Sequence, residues 1–311
     1  MKAAQITEYG DASVVKINDT DMPVAKPGQV VVEVHAASLN PFDTIVREGY
    51  LQQNVPLQLP ATLGGDIAGV VTEAGEDVTD FTVGDKVYGQ ANIVAGNSGA
   101  FAEFAATSAT QIAKMPENLG FTEAASLPLA GVSAIQALTE HIKLAVNQKI
   151  FINGGAGAIG SIAIQLAKNI GAYVATAATR EGIELAKQLG ADEVIDYKTN
   201  DFSALLKDYD AVFDTVGGDT FDKSLAILKK GGIAVSMAAD ADSALAAKLE
   251  VTAIHQMTHV TTGYLDTLRD LVEQGVITPR IGATFPLDQI AEAQRARESG
   301  EVLGKVAIRI K

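Results

Sequence analysis

A glycine-rich turn between a short apolar run and a helical pattern constrains the fold of this chain more than any other feature. Residues 149–160 read Lys-Ile-Phe-Ile-Asn-Gly-Gly-Ala-Gly-Ala-Ile-Gly. The apolar run predicts a buried strand, and from Ile159 onward apolar residues recur at helical spacing until Gly171, a typical helix-ending residue. The segment therefore predicts the first strand–turn–helix unit of a parallel α/β sheet, with G-x-G-x-x-G spacing in its turn: Gly155, Ala156, Gly157, Ala158, Ile159 and Gly160.

The glycines give this turn the chemistry of a phosphate-binding site. A missing side chain at Gly157 lets the backbone approach a pyrophosphate, and Gly160 lets the helix pack closely on its strand. The unpaired N–H groups and the dipole at the helix N-terminus favour negative charge. We therefore predict that this segment binds a dinucleotide, and the alternative is an ordinary glycine-rich turn.

The end of the second predicted strand favours NADP(H) over NAD(H). A cofactor without a ribose phosphate usually meets an acidic residue about 20 residues after the first glycine. The strand predicted from Tyr173 to Ala177 is followed by Thr179 and Arg180, and the next acidic residue, Glu181, lies beyond its tip. The guanidinium of Arg180 suits a 2′-phosphate, and the alternative is a solvated residue at a helix start.

Composition excludes several classes of protein. The chain has 311 residues, enough for two domains, and its hydrophobic content of 47% indicates a globular fold. Its net charge of −14 at pH 7 argues against nucleic acid and anionic membranes as partners. The absence of cysteine excludes disulfides, thiolate metal sites and cysteine nucleophiles. Because no signal sequence or membrane-spanning apolar run is recognised, we expect a soluble cytoplasmic protein.

The order of predicted elements indicates two domains. The first third of the chain is rich in short strands broken by Gly and Pro, which is typical of a compact β barrel or sandwich. Strands and helices alternate from Lys149 to about Val235, which is typical of a doubly wound parallel sheet. We predict a β-barrel-type domain of residues 1–121 and 277–311, and a nucleotide-binding domain of residues 122–276.

Five segments occur in a fixed order along the chain: Asn40 to Asp43, Leu63 to Val71, Gly84 to Val87, Leu127 to Gly131 and Gly154 to Gly160. Together they resemble the medium-chain dehydrogenase/reductase superfamily. The chain is most similar to its zinc-independent quinone oxidoreductase branch, which includes ζ-crystallin and plant alkenal/one reductases. This resemblance implies a GroES-like catalytic domain, a Rossmann NADP-binding domain, and a homodimer formed through the edge strand of the nucleotide domain.

The branch assignment depends on missing metal ligands. Zinc alcohol dehydrogenases of this superfamily use a Cys, the His of a Gly-His-Glu segment and a later Cys, and the corresponding residues here are Asn40, Gly65 and Ala130. We therefore expect no metal site, because this set cannot hold zinc. The resemblance then implies hydride transfer from NADPH to small molecules that are already electrophilic, namely quinones and α,β-unsaturated carbonyls. Two alternatives remain open: a non-enzymatic NADPH-binding or redox-sensing protein, and an enoyl reductase that acts on acyl chains.

The resemblance also implies the remaining site residues. Asn40 would lie near the nicotinamide ribose and the substrate, and Tyr50 would replace a family tyrosine whose position is held here by Ile45. Each of these residues has an alternative role in a turn, in packing or at a strand end. The residues implied to border the cofactor are Gly131, Ser133, Tyr197, Val216, Gly217, Met237 and Ala238.

Overall fold

Strands dominate the beginning and end of the chain in the computed structural model, which describes residues 1–311, whereas strands and helices alternate between them. The sixteen strands are β1 Lys2–Ile6, β2 Lys16–Asp19, β3 Gln29–Ser38, β4 Ala61–Thr62, β5 Asp66–Ala74, β6 Lys86–Gln90, β7 Phe104–Ser108, β8 Ile112–Lys114, β9 Lys149–Asn153, β10 Tyr173–Ala178, β11 Glu193–Asp196, β12 Tyr209–Asp214, β13 Leu228–Ser236, β14 Thr252–His255, β15 Ile281–Pro286 and β16 Lys305–Arg309. The ten α-helices are α1 Pro41–Arg47, α2 Phe121–Ala125, α3 Pro128–Ile135, α4 Ala158–Ile170, α5 Glu181–Gln188, α6 Phe202–Leu205, α7 Asp219–Leu225, α8 Ser243–Leu249, α9 Thr262–Glu273 and α10 Ile290–Glu298. None of these helices is both long and apolar enough to span a lipid bilayer.

The first compact unit comprises residues 1–129, 260–274 and 279–311. Its larger sheet runs β15-β16-β3-β5-β6-β8, with β7 also paired to β3, and its smaller antiparallel sheet runs β2-β1-β4. The ladder between β3 and β5 contains two register shifts, which bend these long strands around the core. That core is apolar and includes Leu63, Ile67 and Phe101, all fully buried.

The second compact unit comprises residues 130–259 and 275–278. Its six strands are all parallel and run β11-β10-β9-β12-β13-β14. Asn153 at the end of β9 is in register with Ala177 on one side and Asp214 on the other, so the strands end at a common edge. The strand order reverses between β9 and β12, and in open α/β sheets this switch point is where ligands bind.

Both predicted architectures are present: a strand-rich domain built from the two ends of the chain, and a doubly wound parallel sheet. The compact units divide the chain differently from the predicted boundaries, because residues 122–129 and 260–274 lie with the first unit. Helix α9, which lies within the predicted nucleotide-binding domain, packs instead on β8. The hydroxyl of Tyr88 donates to the Leu265 carbonyl at 2.5 Å, and the hydroxyl of Thr262 donates to the Ile112 carbonyl at 2.8 Å. These hydrogen bonds between residues far apart in sequence hold α9 in the first unit.

Candidate active site

The glycine-rich turn has the tight backbone that the sequence predicted. It connects Asn153, the last residue of β9, to Gly157, the N-cap of α4, and Gly154 adopts a φ of +85°. A Cβ atom on Gly155 would lie 2.1 Å from the Thr176 hydroxyl oxygen, and one on Gly160 would lie 2.2 Å from the Gly154 carbonyl oxygen. A larger residue at Gly160 would have to move the backbone of the turn, and one at Gly155 would displace the Thr176 side chain.

The start of α4 fits a dinucleotide pyrophosphate. No side chain caps this helix, so the N–H groups of its first turn have no partner within the helix or from a cap. Gly157 is exposed, and its missing side chain leaves the backbone open to a bound anion. The Thr176 hydroxyl accepts the Gly155 N–H at 3.1 Å and donates to the Ile152 carbonyl at 2.6 Å, which fixes the turn against the sheet.

The other predicted cofactor residues mostly follow the carboxyl ends of parallel strands. Because the register aligns these ends, the residues that follow them share one edge of the sheet. This arrangement is the one that a dinucleotide lying across the sheet edge requires. The residues concerned are Thr179 and Arg180 after β10, Tyr197 after β11, Val216 and Gly217 after β12, and Met237 and Ala238 after β13.

Two predicted cofactor residues lie elsewhere, inside helix α3. Gly131 and Ser133 are both buried there. The Ser133 hydroxyl lies 2.8 Å from the Thr258 hydroxyl, and the Ser133 carbonyl accepts the Gln256 amide at 3.1 Å. The structure therefore places Ser133 in the packing between α3 and the segment that follows β14.

Arg180 combines an exposed side chain with an unusual backbone conformation. It precedes α5 with φ +52° and ψ −132°, a region that non-glycine residues rarely adopt. Such conformations cost of order 1–3 kcal/mol and occur preferentially at functional sites. Arg180 is thus an exposed cation with a strained backbone at the N-terminus of α5.

A buried carboxylate, which the sequence analysis did not identify, organises the sheet edge. Asp214 accepts hydrogen bonds from the Asn153 amide at 2.8 Å, the Ser236 hydroxyl at 2.7 Å and the Gly217 N–H at 2.9 Å. The Ser236 oxygen also accepts the Ala238 N–H at 3.1 Å. Asp214 thus ties the ends of β9, β12 and β13 together and fixes the loops after β12 and β13. An acidic residue directly after the apolar run Ala211 to Phe213 was the available sequence signal.

In the first unit, Asn40 belongs to a buried polar cluster at the N-terminus of α1. Its backbone N–H donates to the Asp43 carboxylate at 2.7 Å. Its side-chain Nδ2 donates to the Asp66 carboxylate at 2.9 Å, and its Oδ1 accepts from the Lys305 ammonium. The Gln90 amide donates to Asp66 at 3.0 Å, and Lys305 Nζ lies 3.3 Å from Asp66 Oδ2. We call Asn40, Asp43, Asp66, Gln90 and Lys305 the Asn40 cluster.

Asp43, a member of the Asn40 cluster, has a raised pKa. Burial raises the pKa of Asp43 to about 7, and the negative charge of Asp66 acts in the same direction. The hydrogen bond from the Asn40 N–H and the charges of Lys305 and Arg297 oppose this rise. Asp43 is therefore a buried carboxyl group whose protonation changes near neutral pH.

Tyr50, the other residue predicted at the substrate side, lies in the turn after α1 with 73% of its surface exposed.

The three positions that correspond to zinc ligands in the superfamily are Asn40, Gly65 and Ala130. The structure contains no group of three or more His, Cys, Asp or Glu side chains that could hold a metal ion.

The fold and the turn define a class of protein: oxidoreductases that combine a GroES-like domain with a Rossmann domain. The family model for the alcohol dehydrogenase GroES-like domain matches residues 26–117, and that for zinc-binding dehydrogenase matches residues 189–308. The chain is 33% identical to the NADPH-dependent alkenal/one oxidoreductase, chloroplastic, of Arabidopsis thaliana, over 99% of this chain and 79% of the relative.

Two solved structures extend this likeness to the whole fold. The quinone oxidoreductase from Coxiella burnetii has a TM-score of 0.91 and 34% identity, covering 100% of this chain and 99% of its own. A mycobacterial protein complexed with NADPH has a TM-score of 0.90 and 28% identity, covering 100% of both chains. The chain belongs to the medium-chain dehydrogenase/reductase superfamily, in its zinc-independent quinone oxidoreductase branch. It is an oxidoreductase, and relatives that depend on or bind NADPH support NADP(H) as its cofactor.

Proposed function

We propose that this protein is a metal-independent reductase that transfers hydride from NADPH to quinones or α,β-unsaturated carbonyls. The observation that carries the proposal is the donor set at the zinc-ligand positions of the superfamily. Asn40 is the only one of the three with a polar side chain, and its amide is already bound to an ammonium and a carboxylate. Without a Lewis acid to polarise an alcohol, the acceptor must itself be electrophilic.

The second unit supplies the proposed cofactor site. NADPH, when bound, provides the hydride, and the protein orients it and excludes competing reactions. The N–H groups at the start of α4 would hold the pyrophosphate, and Thr179 and Arg180 would contact the 2′-phosphate. Tyr197 would border the adenosine, and the loops fixed by Asp214 would flank the rest of the molecule.

The first unit supplies the proposed acceptor side. Asn40 would contact the nicotinamide ribose or the acceptor, and Tyr50, with its exposed ring, would contact the acceptor. Holding the nicotinamide close to the acceptor in a site with little water would then account for much of the rate acceleration. Water can supply the proton, so the reaction needs no dedicated acidic side chain.

Steady-state oxidation of NADPH, followed by its absorbance, tests the proposal with three sets of acceptors: quinones, short enones and thioester-linked enones. We expect turnover of quinones or short enones that is insensitive to chelators and to added zinc. NADPH binding without turnover of any acceptor would favour a non-enzymatic NADPH-binding or redox-sensing protein. Strong preference for long thioester-linked enones would instead favour an acyl-chain enoyl reductase.

We further propose that the protein is a cytoplasmic homodimer. Strand β14 forms one edge of the six-stranded sheet, and an edge strand presents unpaired N–H and C=O groups that a second copy can pair with. Light scattering of the purified protein should give twice the mass of one chain. A proline at Ala253, near the middle of β14, should shift the protein toward the monomer, whereas a monomeric wild type would contradict the proposal.

A further inference from the structure

We infer that Lys305 is a positioning residue that orients and polarises Asn40 as a hydrogen-bond donor to the carbonyl oxygen of the acceptor. This inference rests on the proposed reductase function and goes beyond it by assigning an oxyanion donor and its support. Neither Lys305 nor Asp66 belongs to the residues that the sequence analysis assigned to the site.

The partners of Asn40 determine which way its amide faces. An ammonium can only donate a hydrogen bond and an ionised carboxylate can only accept one. The Lys305 ammonium must therefore face the amide oxygen, and the Asp66 carboxylate must face the amide nitrogen. This arrangement excludes the flipped amide, in which both contacts would be repulsive.

The same contacts strengthen Asn40 as a donor. Lys305 and Asp66 have side chains with 4% and 0% of their surface exposed, so water screens their charges poorly. The positive charge on the amide oxygen draws electron density from the nitrogen, which makes both of its N–H groups more polar. One N–H is used by Asp66, and the second is the group assigned to the acceptor.

The proposed reaction creates negative charge that such a donor would stabilise. NADPH, when bound, would supply the hydride and be left as NADP⁺. For an enone, the hydride would form a C–H bond at the β-carbon and the π electrons would move to the oxygen, giving an enolate. For a quinone, the hydride would form an O–H bond at one carbonyl oxygen and the negative charge would appear on the other, giving a hydroquinone monoanion. A proton from water completes the reduction in both cases. A preorganised donor placed where this charge develops lowers the barrier more than it strengthens substrate binding. In zinc relatives the position of Asn40 carries a metal ligand, so the polarised amide would act where those enzymes place their Lewis acid.

The test is a double-mutant cycle between Lys305 and Asn40. Lys305→Met removes the ammonium but keeps a similar apolar stem, and Asn40→Ala removes the donor. Because Lys305→Met leaves the buried Asp66 carboxylate unpaired and can prevent folding, Asp66→Asn/Lys305→Met provides a second, neutral background. Lys311→Met is the matched control, since its ammonium pairs with Glu33 at 2.5 Å in an exposed position. Circular dichroism verifies that each variant is folded.

We expect Asn40→Ala to lower kcat by roughly 100-fold and Asp66→Asn/Lys305→Met by roughly 10-fold, with KM for NADPH changed less than about twofold. In the Asn40→Ala background, removing Lys305 should cost less than about twofold more, because Lys305 acts through Asn40. A second readout is the affinity of 4-nitrophenolate, an oxyanion probe, for the complex of the enzyme with NADP⁺. Its dissociation constant, measured from its absorbance, should rise roughly tenfold in both variants and no further when they are combined.

Three outcomes would overturn the inference. Losses of kcat that multiply in the combined variant would show that Lys305 acts independently of Asn40. Unchanged 4-nitrophenolate affinity in both variants would show that no oxyanion donor was removed. If the wild type reduces no quinone or enone at all, the proposed function fails and this inference fails with it, whereas the first two outcomes leave the proposed function intact.

Discussion

Replacing Asp43 by Asn should change how the stability of this protein depends on pH. Asp43 is buried at the start of α1, where it accepts the Asn40 N–H, and an asparagine oxygen can accept the same hydrogen bond. Burial raises the pKa of Asp43 to about 7 in the folded protein, compared with 3.8 for an unperturbed aspartate. A raised folded-state pKa means that the folded protein holds the proton more tightly than the unfolded chain does. The contribution of this group to stability is therefore fully present below about pH 4 and is lost as the pH rises through about 7.

The size of the effect follows from the interval of pH that can be measured. The chain carries a net charge of −14 at pH 7 and becomes poorly soluble as acid neutralises it, so the usable range begins near pH 5.5. From there to the folded-state pKa is about 1.5 pH units, and each unit corresponds to about 1.4 kcal/mol. Between pH 5.5 and 8.5, the free energy of unfolding of Asp43→Asn should therefore gain about 2 kcal/mol relative to the wild type.

Urea unfolding followed by circular dichroism at several pH values measures this difference. Comparing variant with wild type cancels the contributions of the other carboxyl groups. Asp85→Asn is the matched control: a hydrogen bond from the Lys114 ammonium lowers the pKa of Asp85, so its contribution is lost only in acid, below this range. Its difference from wild type should stay constant from pH 5.5 to 8.5. If the Asp43→Asn difference is also independent of pH, burial does not raise the Asp43 pKa and the reasoning is refuted.

Three further predictions concern the turn, the cofactor phosphate and the core. Gly160→Ala should raise the dissociation constant of NADPH roughly tenfold in a fluorescence titration, because the added Cβ would collide with the Gly154 carbonyl. Gly263→Ala is the control: a Cβ added there meets no neighbouring atom within 4 Å, so this variant should bind NADPH as the wild type does. Arg180→Ala should weaken NADPH binding roughly tenfold and leave NADH binding unchanged, and equal losses for both would contradict the 2′-phosphate contact. Arg47→Met should lower the free energy of unfolding by about 1–3 kcal/mol in urea titrations, because it removes a fully buried guanidinium that pairs with Glu48 and Glu298 and leaves the buried Gln294 oxygen without its donor. A free energy of unfolding equal to that of the wild type would contradict this role.

The doubly wound sheet could be predicted because the sequence patterns that specify its strands, turns and helices each lie within a few consecutive residues. Gly154 to Gly160 must form a tight turn, and the apolar residues before and after it have strand and helix periodicity within a few residues. Once parallel strands are assumed, the residues at their carboxyl ends must share one edge, so the positions of Arg180 and Tyr197 along the sheet followed from strand order. The place of α9 did not follow, because its packing depends on Tyr88, 177 residues from its partner Leu265.

The sequence by itself determined the nucleotide turn, the alternation of strands and helices, and the absence of zinc ligands at three positions. Only the tertiary structure decided what surrounds Asn40. Lys305 and Asn40 are 265 residues apart, and Asp66 stands on a third segment, yet their side chains meet in the buried Asn40 cluster. Backbone conformation and periodicity are properties of neighbouring residues, whereas the pairing of a buried ammonium with an amide and a carboxylate depends on how distant strands are brought into contact.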